Sequence, residues 1–317
     1  MTERRVSVVV PVFNKARFLP AALDSIVAAV RSDGDAELIA VDHGSTDGSR
    51  ELLGSRYAAD AQILDVTGGT IATVRNRGAR AATGSVLSFI DADCVIPPDY
   101  LSRVRDVLAT TGAGATGAEV VPPASPSWVE DVWYRLHRRV DDGEQEWIGS
   151  ANLAVVREAF DTVGGFDERL VTGEDTELCQ RLRSRGYRIY ESKWLSAVHL
   201  DNARTVRAFY RKELWRALGM FGTVQPGSID KPTVMTVVHM ALCATAMVAL
   251  VLGPWGWPGR LAAAVGLLGA VPAATLVYRA RAGGSVGRPL HALLLYEVYF
   301  AARGAAMARL LFRGEKG

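Results

Sequence analysis

Two pairs of acids in this sequence could do chemistry. Asp91 and Asp93 stand one residue apart at the end of the apolar run Val86 to Ile90, and Glu174 and Asp175 are adjacent. In an extended segment alternate side chains share a face, so Asp91 and Asp93 would point one way and Ala92 back. Two hard oxygen donors on one edge suit Mg²⁺ or Mn²⁺, ions that keep several waters and complete their shell with substrate phosphates. The pair therefore reads as a clamp for a metal and a diphosphate, although such acids also cap helices or line solvated turns. Glu174 and Asp175 have a double reading too. One carboxylate is enough to accept a proton from an attacking hydroxyl. Both also precede Leu178, Leu182 and a stop at Gly186, where acids in the first turn favour the helix dipole.

The elements that must position these acids follow from periodicity. Val6 to Val10 is a β-branched run of the kind buried on both faces of a sheet, ended by Pro11-Val12-Phe13-Asn14. Leu19, Leu23, Ile26, Val27 and Val30 recur at helical spacing. Leu38 to Val41 reads as a second strand and runs into Asp42-His43-Gly44-Ser45-Thr46-Asp47-Gly48-Ser49. Ile63 to Val66, a helix over about Thr73 to Ala82 and the strand Val86 to Ile90 repeat the pattern. Such βαβ units predict an α/β fold on a parallel sheet, whose ligands sit beyond the carboxyl ends of the strands. Asn14, Asp42, His43, Asp91 and Asp93 all fall at that edge. No GxGxxG or Walker A sequence follows a strand, which counts against a dinucleotide dehydrogenase and a P-loop kinase or ATPase.

Charge divides the 317 residues unevenly. From Thr205 onward there are 13 Lys and Arg against four acids, so the total of +2 leaves −7 for Met1 to Arg204. That is unlike a nucleic-acid binder, whose basic residues belong on the folded domain. It suits a catalytic domain tied to an anionic membrane surface. Val234 to Leu252 (19 residues) and Leu261 to Tyr278 (18 residues) carry no formal charge, and each is near the length that crosses about 30 Å of hydrocarbon. Between them Trp255 and Trp257 suit an interface belt. A transmembrane hairpin is expected, with a buried helical pair in a soluble domain as the alternative. Arg211, Lys212 and Arg216 before the pair, and Arg279, Arg281 and Arg288 after it, place both flanks in the cytosol. Thr205 to Phe221 mixes aromatic and basic residues, as a helix lying on a membrane would. Pro289 to Phe312 spreads its polar groups around a helix and reads as a surface or re-entrant segment. The expected domains are 1–203, 204–232 and 233–317. Cys94, Cys179 and Cys243 are far apart and odd in number, which argues for packing roles in a reducing compartment. The apolar run behind Met1 to Arg5 is short and holds Pro11, so no signal peptide is expected.

Taken in order, Val8-Val9-Val10-Pro11-Val12-Phe13-Asn14, Asp42 with Gly44 to Ser49, Arg75-Asn76-Arg77-Gly78-Ala79, Asp91-Ala92-Asp93, Gly149-Ser150-Ala151-Asn152, Gly164-Gly165-Phe166-Asp167 and Gly173-Glu174-Asp175 resemble the family 2 glycosyltransferases. The resemblance covers about the first 200 residues and implies a GT-A fold acting on a nucleotide-diphosphate sugar. By it, Pro11, Phe13, Asn14, Asp42, His43 and Ser45 hold the base and ribose. Arg75 lies near the nucleotide, Asp91 and Ala92 meet the ribose, and Asp93 binds Mg²⁺ or Mn²⁺, with Asp91 and His199 as further metal ligands. Gly149, Ser150 and Asn152 lie under the acceptor, with Trp147 as a stacking platform. Asp175 is the base and Glu174 orients the loop or the acceptor. Where many relatives have two adjacent acids this chain has Asp42-His43, and an imidazole does not replace a carboxylate on a uracil. The Gln-x-x-Arg-Trp set of processive synthases is missing, since Gln180-Arg181-Leu182-Arg183-Ser184 lacks the Trp. One addition to a lipid-linked or cell-envelope glycan at the cytosolic membrane face is therefore expected. The alternatives are a catalytically inactive, nucleotide-sugar-binding membrane scaffold and a nucleotidyltransferase. The latter would want a Gly-rich basic loop after the first strand, and Val12-Phe13-Asn14-Lys15 is a poor one.

Overall fold

The computed structural model describes residues 5–138, 141–222, 231–283 and 285–313. Met1 to Arg4 and the linker expected around 223–230 lie outside them. The order of elements is β1 (Val6–Val12), α1 (Leu19–Asp33), β2 (Ala36–Asp42), α2 (Ser49–Leu52), β3 (Gln62–Asp65), α3 (Ile71–Ala81), β4 (Val86–Ile90), β5 (Cys94–Val95), α4 (Tyr100–Thr111), β6 (Ala115–Gly117), α5 (Trp128–His137), β7 (Gly143–Glu144), β8 (Asn152–Val156), α6 (Arg157–Thr162), α7 (Glu174–Ser184), β9 (Ile189–Glu191), β10 (Val198–His199), α8 (Val206–Gly222), α9 (Lys231–Leu252), α10 (Trp257–Arg281) and α11 (Pro289–Arg313). Contacts gather the chain into two units, residues 1–123 with 140–202, and residues 124–139 with 203–317. The stretch 124–139, inside the range 1–203 expected to be one domain, thus joins the C-terminal helices.

In the first unit an eight-stranded, mostly parallel sheet has the order β3-β2-β1-β4-β8-β6-β9-β7. Strands β3, β2, β1 and β4 run parallel, and β8 enters antiparallel between β4 and β6. The chain reverses its direction of travel across the sheet at β1, which opens a crevice at the carboxyl ends of β1, β2 and β4. Every residue of β1 is buried, and its alternation sorts the core onto two faces. Val8 and Val10 pack with α1 and α4, while Val9, with Ile39 and Val41 of β2, packs with α3 and α7. Because β8 pairs Asn152 with Ile90, the loop before it, Gly149-Ser150, arrives at the same edge as Asp91. The Asp91 N–H donates to the Ala151 carbonyl at 3.2 Å.

In the second unit the Ser127 hydroxyl and the Glu130 carboxylate close a capping box on α5. Val129, Val132 and Leu136 then pack with Phe209 of α8 and with Leu295 and Tyr296 of α11. Leu214 and Ala217 of α8 bury against Ala302 and Ala306 of α11, so the apolar side assigned to a membrane surface faces protein, and Trp215 is left exposed. Helices α9 and α10 are long and apolar enough to cross a membrane, and only 17% and 22% of their most apolar stretches are buried. Arg260 closes the turn between them by donating to the carbonyls of Trp255 and Val251, both at 2.9 Å.

Gly78 carries a test of how tightly α3 lies on the sheet. A Cβ there would stand 2.3 Å from Val9 Cγ1 and 3.1 Å from Val41 Cγ2. Ala would gain about 1 kcal/mol of helix propensity, but overpacking a buried site costs about 1–3 kcal/mol. Gly78→Ala is expected to lose about 1–2 kcal/mol in chemical denaturation. Combined with Val9→Ala, it should destabilise less than the sum of the two single changes.

Candidate active site

Strand β4 ends at Ile90, and Asp91 to Asp93 form a turn that the Cys94 N–H closes on the Asp91 carbonyl at 2.9 Å. Strand alternation therefore does not apply there, and the expectation that both acids share one face is corrected. Asp91 and Asp93 serve two different corners of the crevice.

Asp91 belongs to Arg75. The guanidinium of this α3 residue is buried, with Nη2 at 2.8 Å from Asp91 Oδ1 and Nη1 at 2.6 Å from Glu174 Oε1. Its Nε has no hydrogen-bond partner among the described residues. The Ser150 hydroxyl donates to the same Glu174 oxygen at 3.1 Å, and the Ser150 N–H donates to Asp175 Oδ2 at 3.1 Å. One chain of contacts thus runs from Asp91 through Arg75, Glu174 and Ser150 to Asp175. Gly173, with φ +79°, turns the backbone into α7 so that both acids occupy its first turn. Upstream, Asn76 anchors the approach to that turn. Its amide accepts from the Phe166 N–H at 2.9 Å and donates to the Phe166 carbonyl at 2.8 Å.

The two acids differ in exposure. Glu174 is buried, whereas Asp175 is half-buried with Trp147 exposed nearby; a Cβ on Gly149 would lie 3.8 Å from Asp175 Oδ2 and 3.9 Å from the Trp147 ring. Burial pushes the Glu174 carboxyl up, against the pull of Arg75, and the charge of Asp175 adds to the rise. Seen from the guanidinium, burial is outweighed by Asp91 and Glu174, which hold the Arg75 charge in place.

The second corner gathers Asp93, Cys94 and His199, whose ligand atoms lie within 4.8 Å of one another. Pairing of β10 with β5 brings His199 opposite Cys94. Asp93 is buried, its Oδ1 accepts no hydrogen bond among the described residues, and His199 Nε2 stands 3.4 Å from it. An orphaned buried carboxylate oxygen facing an imidazole is a donor set that fits Mn²⁺ or Mg²⁺. Burial and the Asp91 and Asp93 charges push the Cys94 thiol well up, so it packs as a neutral thiol. Asp91, expected beside Asp93 as a metal ligand, is outside this group because Arg75 holds it. Two residues not singled out by the sequence complete the corner. Lys15 Nζ reaches Asp93 Oδ2 at 2.5 Å and Asp201 Oδ2 at 2.7 Å. Burial opposes the Lys15 charge, but Asp93 and Asp201 prevail and raise its pKa.

At the third corner Asp42 is buried, with Oδ2 accepting the Ser45 N–H at 3.0 Å and Oδ1 without a partner among the described residues. Phe13 and His43 face each other at 5.6 Å between ring centroids, and His43 Nε2 lies 3.0 Å from the Gly68 carbonyl. Asn14 adopts a left-handed φ of +51° and joins the two loops: its N–H donates to Ser45 Oγ at 3.0 Å and its Oδ1 accepts from the Thr46 N–H at 2.9 Å. Asn14 and Ser45 therefore act as supports of the crevice through each other. Pro11 and Ala92 are buried. Asn152, expected under the acceptor, is fully buried; its amide donates to the carbonyls of Ala118 and Leu195 and accepts from the Tyr100 hydroxyl. With those positions engaged it is a core residue; of the segment expected under the acceptor, Ser150 is buried against Glu174 and Asp175, and Trp147 is exposed beside Gly149.

Glu174 gives this site a pH signature. Its raised pKa means that the folded state keeps the proton to higher pH than the unfolded chain, so its contribution is complete below the ordinary value of 4.5 and is lost as pH rises through the raised value. Glu174→Gln cannot titrate. The unfolding free energy of the unsubstituted protein relative to this variant should therefore fall as pH is raised from about 4.5 towards neutrality. A relative rise would show that the attraction of Arg75 exceeds the cost of burial.

Comparison with known proteins converges on one family. The model for Glycosyl transferase family 2 matches residues 7–151, and that for Glycosyl transferase family group 2 matches residues 86–280. Glycosyltransferase AglE of Haloferax volcanii is 27% identical over 57% of this chain and 62% of its own length. Succinoglycan biosynthesis protein ExoA of Rhizobium meliloti is 27% identical over 67% of this chain and 68% of its own. The structure described as mannosyltransferase PcManGT from Pyrobaculum calidifontis in complex with GDP-Man and Mn²⁺ superposes with a TM-score of 0.60 at 22% identity, covering 98% of this chain and 88% of that one. Sheet order, the acids at its carboxyl edge and these matches together place the chain in the family 2 glycosyltransferases, with a GT-A fold.

Proposed function

We propose that this protein transfers a single sugar, with inversion, from a nucleotide-diphosphate sugar to a lipid-linked or cell-envelope glycan acceptor at the cytosolic face of a membrane crossed by α9 and α10. The observation that carries the reading is the Arg75 bridge, which ties the donor-side acid Asp91 to Glu174 and so to Asp175. Phe13 and His43 wall the base, and the unpartnered Asp42 Oδ1 offers an acceptor for one of its N–H groups. Trp147 presents a flat face on which a sugar ring stacks beside Asp175. Asp175 takes the proton of the acceptor hydroxyl as its oxygen bonds to the anomeric carbon from the side opposite the leaving group. The bond from that carbon to the phosphate oxygen breaks, and the nucleoside diphosphate departs with the electron pair. A divalent cation held by Asp93 and His199 would neutralise the charge that builds on the diphosphate. Outward-facing Val237, Met247, Val248 and Leu268 on α9 and α10, with the tryptophans between the helices, support the membrane crossing.

Full-length protein in detergent, given a panel of UDP- and GDP-sugars with Mn²⁺, should release one nucleoside diphosphate. Asp175→Asn is expected to slow turnover about 10²–10⁴-fold, the usual contribution of a general base, with nucleoside-diphosphate affinity retained. Turnover undiminished by that change would remove Asp175 from the mechanism. Chelation of divalent ions should abolish turnover and be reversed by Mn²⁺, the cation named with the Pyrobaculum structure.

A further inference from the structure

Neither Lys15 nor Asp201 belongs to the motifs that run through the sequence, yet both sit against the carboxylate that would hold the metal. Asp93 is enclosed, and the Lys15 ammonium, 2.5 Å from its Oδ2, is the full positive charge placed on it. A single nitrogen also reaches Asp201 Oδ2 at 2.7 Å, and that second carboxylate is largely exposed. The backbone of Lys15 is fixed, its N–H donating to Ser49 Oγ at 2.8 Å just after the left-handed Asn14. What can move is the four-carbon stem, which carries a compact point charge on rotatable bonds.

We infer that Lys15 is a built-in counter-cation that a divalent metal must displace from Asp93, and that the displaced ammonium then turns to the diphosphate of the donor. The inference rests on the metal reading of Asp93 and His199 given above. A buried carboxylate left alone is costly, so the ammonium compensates Asp93 and holds it in place. An ammonium and a divalent ion on one carboxylate repel each other, so each is bound at the expense of the other. Asp201 gives the ammonium a carboxylate to keep as it leaves Asp93, and this holds it at the mouth of the same corner. Metal uptake in this arrangement is weak by itself and strong with the donor, because the diphosphate brings negative charge for both cations at once. The order of binding is thereby biased towards metal and nucleotide arriving together.

Titration calorimetry with Mn²⁺ alone, on the full chain in detergent, tests this directly. Lys15→Met should bind Mn²⁺ about tenfold or more tightly than the unsubstituted protein, and Lys15→Arg should stay close to it. With Mn²⁺ saturating, UDP or GDP should bind Lys15→Met about tenfold more weakly. Lys15→Gln, which still donates a hydrogen bond to Asp93, should show the same tightening for Mn²⁺ and keeps the test open if the Met variant does not fold. Mn²⁺ affinity that is unchanged or weaker in both neutral variants, while the unsubstituted protein binds the ion, would overturn the inference and leave the proposed reaction standing. Absence of Mn²⁺ binding in every form would overturn the metal reading as well.

Discussion

The site depends on one buried cation. Arg75 has almost no contact with water and two carboxylates to satisfy it, one at the end of a parallel strand and one in the first turn of a helix about a hundred residues later. Buried ion pairs of this kind add little net stability, because desolvation offsets most of the attraction. Breaking one is a different matter: an uncompensated buried charge costs about 3–5 kcal/mol. Such an interaction therefore enforces a geometry more than it stabilises a fold. Here it fixes α7 against the edge of β4, and with it the position of Asp175 relative to Asp91.

That geometry requires the sheet to be built as it is. In an all-parallel sheet the strand beside β4 would deliver its carboxyl end to the crevice, and the chain would leave the edge there. Strand β8 runs the other way, so the chain approaches the edge through Gly149-Ser150 and then enters the sheet. Ser150 can then donate its N–H to Asp175 and its hydroxyl to Glu174. Asn152, two residues on, is drawn fully into the core by the same reversal. The segment is thus split between Gly149 and Ser150, which sit at the edge and touch α7, and Asn152, which is structural.

The parts of the fold that were legible in the sequence are those whose signal is local. The β-branched run of β1, the 3.6-residue stripe of α1 and the unbroken apolar lengths of α9 and α10 each declare themselves within one window. Asp91 and Asp93 were misread because the strand stops one residue before them, and a turn sends the two carboxylates to different partners. Lys15 directly follows the motif that ends at Asn14 and Asp201 stands two residues after His199, but nothing local shows that either reaches Asp93; the pairing of β10 with β5 carries Asp201 there, and the end of β1 carries Lys15. For α5 a local signal did exist, the Ser127 and Glu130 capping box, but the apolar residues it packs against come from α8 and α11. In α11 the wide spacing of polar residues suggested a surface helix. Within the second unit Arg303 is buried with its guanidinium 5.1 Å from the Tyr299 ring, and Glu297 lies 3.4 Å from His239. Polar groups scattered around a helix can therefore mark internal pairing as well as exposure.

Adjacent acids at a helix terminus are chemically alike, and here they differ in what each already holds. Two neighbouring carboxylates both gain from the partial positive charge of the helix end but repel each other. Glu174 is buried, pairs with Arg75 and accepts from the Ser150 hydroxyl. Asp175 keeps one oxygen on the Ser150 N–H and the other on the Thr176 N–H, contacts that hold its orientation, and remains half-buried at the crevice. A base must be reachable by the proton it removes, and of the pair Asp175 is the more exposed, which favours it for the proposed role. Glu174 in turn ties Asp175, through Ser150 and Arg75, to Asp91 at the end of β4, so the more exposed carboxylate keeps a fixed relation to the edge of the sheet.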